Sequence, residues 1–406
     1  MPARPLLHLS VPPGAEGVSV LTAALRTALD GTGPAIAPIP TVTSATSAHY
    51  VSQLLAATRP GDDSNPLESD GIAVVLATSG STSHPKGVLH SSATLHALSH
   101  AIQGDANPQW IAALPVTSMG GFNVVLRAAE TELPAMGMTS LGGLHPFTPE
   151  EFSATVRAAF QRSDDVRVSL VAAQVRRLLG NAESTDALRA CAQILVGGGP
   201  LPASTAQAAQ AAGIRLTTTY GATETAGGCV FNAQPLSGVD ITIDPVSSEI
   251  VLSGAMVALG YRNQPQHTAE RFFDRSYRTG DLGTYQSMLV IDGRSDDVIT
   301  INGINVSINA VEEVINNFEG VQLAAVVAQP STDGEFELYA AITLEDASVD
   351  QPEVVKILCA STQTALGKAA VPRNFAFLDS LPTLPNNKID RRAIIQLTHD
   401  GALWQR

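Results

Sequence analysis

Cysteine is scarce: the 406 residues hold three, Cys191, Cys229 and Cys359, with no CxxC pair among them. That scatter argues against a disulfide framework and a cysteine-based zinc site, and it predicts a reducing, cytoplasmic setting. Cations are also few, 24 Lys and Arg against 38 Asp and Glu, for a net charge of −14. A general nucleic-acid surface needs clustered cations, so nucleic acid is not an expected partner. A local positive pocket for a small anion remains open. No window reaches the ~18 uninterrupted apolar residues of a membrane helix, so no membrane insertion is expected. The opening MPARPLLHLSVPPG is broken by prolines and has no apolar core, which predicts no secretory signal. Internal repeats and low-complexity tails are lacking too.

What remains is an ordinary globular composition, 44% hydrophobic and 15% charged. The length exceeds what one core usually serves, so two or more domains are expected. Residues 1–68 offer a helix at 18–29, a loop or edge strand over 31–46 and a second short helix at 49–58. A strand at 71–76 (GIAVVL) leads into a Ser/Gly-rich loop, and leucine spacing predicts a helix over 90–102. Strands at 110–115, 166–171, 191–196 and 215–219 then alternate with helices at 122–129, 147–160, 172–179 and 203–212. Thr148 and Pro149 mark one helix start. The alternation predicts an α/β fold whose mainly parallel sheet is flanked by helices. Ligands on such sheets sit beyond the carboxyl ends of the strands, so the loops 78–87, 197–200 and 220–225 are expected to meet at one crevice. Short strand-like pieces over 239–260 predict an antiparallel β subdomain. From Gly293 a βαββαβ-like pattern predicts a small α+β domain.

The chain is organised around ATSGSTSHPKGV, residues 77–88. Gly80 and Gly87 let the backbone turn tightly and approach a ligand. The amides and hydroxyls of Thr78, Ser79, Ser81 and Thr82, with the charge of Lys86, have the composition of an anion cradle. It is not a Walker loop, because Lys86 lies six residues after Gly80 and is followed by Gly87. A plain Ser/Gly surface turn has the same composition.

Further motifs follow. In YGATET, Tyr220 offers a face to a purine, Thr223 a hydroxyl to a phosphate, and Glu224 a hard oxygen ligand for Mg²⁺. In YRTGDLG, Asp281 sits in a Gly-flanked turn, where a carboxylate can accept from two ribose hydroxyls. DGRSDD brings Arg294 and Asp296, and LPNNKIDRR brings Lys388. A strand-to-helix turn and a surface lysine are the plainer readings of the first and last. Arg127 is a charge in an apolar helix, expensive to bury unless paired. An ion pair with Glu130 or Glu132 and an anchor for an anionic substrate group are both open. His84, His90, His96 and His100 have no carboxylate or cysteine near them in sequence, so a solvated helix face is preferred to a metal site.

In order and spacing, these blocks from residue 71 onwards resemble the adenylate-forming superfamily of acyl-CoA synthetases and luciferase-like enzymes. The short N-terminus, ILVGGGPLP, LSGVDITID and the arginine in VVLRAA are similar to its 2-succinylbenzoate–CoA ligases of menaquinone biosynthesis, in compact actinobacterial form. The resemblance implies a domain of residues 1–293, with its β subdomain at about 237–292, and a small mobile domain over 297–406. The hinge would lie at about 294–296, with Asp296 at the pivot. It implies ATP, Mg²⁺ and CoA, with an acyl-adenylate made first and a thioester second. Thr78, Ser79, Gly80, Ser81, Thr82 and Lys86 would hold phosphates. Gly198, Gly199, Tyr220 and Gly221 would flank adenine, Asp281 and Arg294 would hold ribose, and Thr223, Glu224 and Lys388 would act in catalysis, with Glu224 on the metal. Arg127, Ser118, Gly120 and Gly121 would meet the acyl substrate and Gly303 the CoA side. Three departures from the family pattern are Val116-Thr117-Ser118, Ser83-His84 and Asn386-Asn387. Another CoA ligase, a carrier-loading adenylation enzyme and a catalytically silent AMP binder stay open, and so does a homodimer.

Overall fold

The structure is a computed structural model that describes residues 4–62, 66–78, 85–103, 106–301, 304–330, 336–346, 348–383, 389–399 and 404. The chain divides into two compact units. One comprises residues 1–201, 205–242 and 251–279, the other residues 202–204, 243–250 and 280–406.

The first unit holds two sheets where one mainly parallel sheet was expected. The first runs Leu6–Val11, Ala35–Pro40, Ile72–Ala77, Gly87–Ser91, Gly260–Tyr261, its first three strands parallel and the last two antiparallel. Ala35–Pro40 is therefore an interior strand, not a loop or edge. Its register to the inner neighbour is Ile36↔Val74, so Pro38 and Pro40, which have no N–H to give, lie past that pairing. A strand at Gly87–Ser91 delays the next helix to Ser92–Gln103, which moves His90 from helix to strand. The Ser/Gly-rich motif thus lies between two antiparallel strands rather than between a strand and a helix.

The second sheet has seven strands. Met136–Gly137, Gln109–Ala112, Val166–Leu170, Gln193–Val196 and Thr217–Ala222 are parallel, and Gly227–Phe231 and Gln234–Pro235 close the edge antiparallel. The predicted strand at 215–219 runs on to Ala222, because Tyr220 and Gly221 pair back onto the following hairpin strand. The helix Met119–Ala129 packs on this sheet and against Gly14–Asp30 and Ser92–Gln103. Covered on both sides, it buries almost its whole length, Arg127 included. Thr148 caps Pro149–Phe160 by accepting from the Glu151 amide at 3.2 Å.

The antiparallel sheet that follows runs Val239–Ile243, Glu249–Gly254, Ser276–Tyr285, Phe272–Phe273, with Leu289–Arg294 paired to Ser276–Tyr285. MVALGY, read as strand, forms only the short piece Gly260–Tyr261. In the second unit, Val321–Pro330, Phe336–Leu344 and Asn374–Phe377 form a three-stranded sheet. The strand Val321–Pro330 follows the period of two. Ala324 and Val326 pack with Val311, Ile315 and Leu358 of the helices Ile308–Asn316 and Gln351–Leu366. Ala325 and Val327 face the other way, onto Ile394 of the helix Arg391–Leu397. No described helix is long and apolar enough to cross a membrane.

Candidate active site

Ser79, Gly80, Ser81, Thr82, Gly303 and Lys388 lie outside the described residues. The neck of the loop is described. Thr78 and Lys86 face each other across it: the Thr78 amide donates to the Lys86 carbonyl at 2.8 Å, and the Lys86 amide donates to Thr78 Oγ1 at 3.0 Å. These bonds continue the hairpin ladder by one pair and fix where the lysine leaves the strand. Gly87 beside it is required by close packing, since a Cβ there would stand 2.6 Å from the Ala57 carbonyl oxygen.

The first two sheets meet at Tyr261. Its strand pairs with Gly87–Ser91, while its hydroxyl donates to Glu224 Oε1 at 2.8 Å. Glu224 lies in the short turn Thr223–Thr225 at the end of the second sheet's strand Thr217–Ala222. The backbone closes the same gap, for the Ala258 amide donates to the Glu224 carbonyl and the Leu259 amide to the Leu89 carbonyl, both at 2.8 Å. Lys86 Nζ sits 5.0 Å from the Tyr261 ring centroid and 2.9 Å from His267 Nε2. Loops from two sheets are thereby brought to one place, with a cation and a carboxylate on either end of one phenol.

Glu224 is 7% exposed. Burial, and after it the Glu224 charge, pushes the phenols of Tyr261 and Tyr277 up, so both stay protonated and Tyr261 stays a donor. A buried carboxylate beside a neutral donor fits a hard divalent cation, which would supply its missing counter-charge. His90 is fully buried under Glu224's turn, and burial pushes its imidazole down to about 4, so it is neutral there.

Gly197–Gly199 follow the strand Gln193–Val196. Gly198 takes a left-handed φ of 84°, and a Cβ on Gly197 would meet Thr219 Oγ1 at 2.5 Å, whereas Gly199 borders open space. Gly198 and Gly199 therefore lie beside the strand that carries Tyr220 and Gly221, which belong to strand rather than loop. Ser118 caps nothing with its side chain; its hydroxyl turns back to the Pro115 carbonyl at 2.8 Å. Gly120 and Gly121 open the helix, and a Cβ on Gly121 would lie 2.3 Å from the Pro115 oxygen. One turn on, the Asn123 amide donates to the Ala226 carbonyl at 2.7 Å and ties this helix to the turn after Glu224.

Arg127 is on the same helix face a further turn along. It is 4% exposed, its guanidinium lies 5.1 Å from the Trp110 ring centroid, and its Nε has no hydrogen-bond partner among the described residues. Burial pushes it down to about 10 against the pull of Glu130, so it remains charged at neutral pH. Glu130 bonds His96 Nδ1 at 2.5 Å and also accepts from Ser99 Oγ. The carboxylate that reaches His96 is distant in sequence, arriving from the cap of a different helix 34 residues on.

In the second unit, Asp281 lies in the strand Ser276–Tyr285 rather than in a turn, directly opposite Arg294 in the register. Arg294 Nη1 donates to Asp281 Oδ1 at 3.3 Å. Asp296 falls in the turn Ser295–Asp297. The segment after Lys388 is held on its own account: Asp390 caps the helix Arg391–Leu397, and Arg391 grips both Glu312 oxygens, at 2.7 and 3.1 Å.

A separate cavity of about 1000 Å³ opens at the amino ends of the second sheet's strands, among Gln103, Arg167, Gln193 and Thr217. Tyr261, His267 and Asn123 were not legible as site residues. Each acts through a partner more than 30 residues away, and none belongs to a short pattern.

A protein of Mycobacterium tuberculosis described as a probable 2-succinylbenzoate–CoA ligase is 31% identical over 396 residues, covering 96% of this chain and 97% of its own. A 2-succinylbenzoate–CoA ligase of Geobacillus kaustophilus is 29% identical, covering 80% of this chain and 69% of its own. In fold, the chain is similar to the o-succinylbenzoate CoA synthetase of Bacillus subtilis solved with an acyl-adenylate. That likeness has a TM-score of 0.70 and 20% identity, over 96% of this chain and 88% of that one. Residues 310–388 match the AMP-binding enzyme C-terminal domain. Residues 22–261, more than half of the chain, match the AMP-binding enzyme family, and the chain belongs to that family of adenylate-forming enzymes.

Proposed function

We propose that the chain is an acid–thiol ligase that adenylates 2-succinylbenzoate with MgATP and passes the acyl group to CoA, for menaquinone biosynthesis. The observation that carries this reading is the near end-to-end match to a relative named for that activity, 31% identical with 96% and 97% of the two chains covered.

In the first step a substrate carboxylate oxygen attacks the α-phosphorus of ATP, the bond to pyrophosphate breaks, and an acyl-adenylate forms. In the second, the CoA thiolate attacks the acyl carbonyl and AMP leaves. Thr78, Ser79, Gly80, Ser81, Thr82 and Lys86 hold the β- and γ-phosphates in this proposal. Gly198, Gly199, Tyr220 and Gly221 flank adenine, Thr223 meets the α-phosphate, and Asp281 and Arg294 hold the ribose. Glu224 would hold Mg²⁺, which would supply counter-charge to the phosphates. The fit of Glu224 to that ion rests on its burial and on the neutral donor Tyr261 beside it. Lys388 meets the charge that develops between carboxylate and α-phosphate, a task best done by a pre-aimed cation. The small C-terminal domain turns about Asp296 between the steps, with Gly303 on its thioester-forming face.

The substrate is a dicarboxylate, so one carboxylate reacts and the other needs a partner. Arg127 is the residue proposed for it, with Ser118, Gly120 and Gly121 along the same helix start. A buried guanidinium with an unpartnered Nε among the described residues supports that choice. The test is pyrophosphate release across a panel of acids with MgATP and CoA. The reading predicts preference for 2-succinylbenzoate with the CoA thioester as product. Preference for another acid, or transfer to a carrier-protein thiol in place of CoA, would overturn the substrate assignment.

A further inference from the structure

We infer that His267 is a positioning residue that seats the Lys86 ammonium for nucleotide phosphate, an inference that rests on the phosphate-binding role proposed for Lys86. His267 stands in the short helix Pro265–Arg271, its ring stacked on Tyr261 with centroids 4.8 Å apart and planes 15° from parallel. Its Nε2 is 2.9 Å from Lys86 Nζ, and its Nδ1 is 3.2 Å from Glu270 Oε2. An ammonium has donors only and a carboxylate acceptors only. A single tautomer satisfies both contacts: Nδ1 carries the proton and donates to Glu270, and the Nε2 lone pair accepts from Lys86. The same ammonium lies 5.0 Å from the Tyr261 ring centroid. Tyr261 in turn donates to Glu224, so His267 holds the lysine one phenol away from the carboxylate assigned to the metal.

A free lysine samples many rotamers, and fixing one costs up to about 2 kcal/mol of entropy. Seating it before ATP arrives removes that cost from the binding step. The other charged and titratable groups around the ring are Arg271 on its own helix, with Tyr277 and Glu224 reached through Tyr261.

The test uses the full chain and carboxylate-dependent ATP–pyrophosphate exchange. In His267→Ala, KM for ATP is expected to rise about tenfold with kcat little changed, the scale of one hydrogen bond to a charged group. His267→Gln keeps an acceptor near the Nε2 position and is expected to recover most of the KM. An unchanged KM in His267→Ala, or a KM in His267→Gln as high as in His267→Ala, would overturn the inference alone. No exchange by the unsubstituted protein with any acid would overturn it together with the proposed function. Independently of activity, ¹⁵N NMR of the ring is expected to show the Nδ1–H tautomer and to change in Lys86→Ala. Ring signals identical in Lys86→Ala would refute the contact.

Discussion

At the scale of single residues, the chemistry-bearing side chains were readable and their supports were not. Glu224 and Lys86 stood out because each sits in a short run of glycines and hydroxyls. The phenol between them came from a strand 37 residues after Glu224, in a stretch read as ordinary sheet. Two substitutions test the residues assigned to the reacting ends. Lys388→Ala should lower the rate of adenylation on the order of 10²-fold, the loss of one aimed charge; exchange at the unsubstituted rate would remove Lys388 from the mechanism. Arg127→Met keeps volume and apolar packing beside Trp110. It should raise KM for a dicarboxylate and leave that for a monocarboxylate analogue unchanged. An equal effect on both would return Arg127 to a role in the packing of its helix.

At the scale of elements, helices with good caps and long periodic runs were placed within a few residues, as Pro149–Phe160 and Ala172–Leu179 show. Strands were harder. AIAPIP carries two prolines and looked peripheral, yet it lies inside a sheet, because register rather than composition decides which amides are needed. The strand Gly87–Ser91 was hidden by the apolar spacing that continues into Ser92–Gln103. Gly121 joins fold and site: a Cβ there would stand 2.3 Å from the Pro115 oxygen, so only glycine lets the helix start pass this close. Gly121→Ala should therefore destabilise the protein by about 1–3 kcal/mol; an unchanged thermal midpoint would contradict that packing. In the second unit, Arg391→Ala leaves the mostly buried Glu312 carboxylate without its cation. A loss of about 2 kcal/mol is expected, read as earlier chemical unfolding of that unit. A denaturation curve superimposable on the parent's would show the pair to be dispensable.

At the scale of the whole molecule, the sequence pattern separated an alternating α/β region from a later α+β region, and both are present. It did not divide the α/β region into two sheets, since alternation reports local connection and not which strands pair. That division matters for function. The strands flanking Lys86 and the strand bearing Tyr220 belong to different sheets, and the Tyr261 strand carries a contact between them. The most direct test of the whole account is pyrophosphate release with MgATP and CoA across 2-succinylbenzoate, simple aryl acids and fatty acids. The account predicts release chiefly with 2-succinylbenzoate and its CoA thioester as product; no release with any of these acids would contradict it.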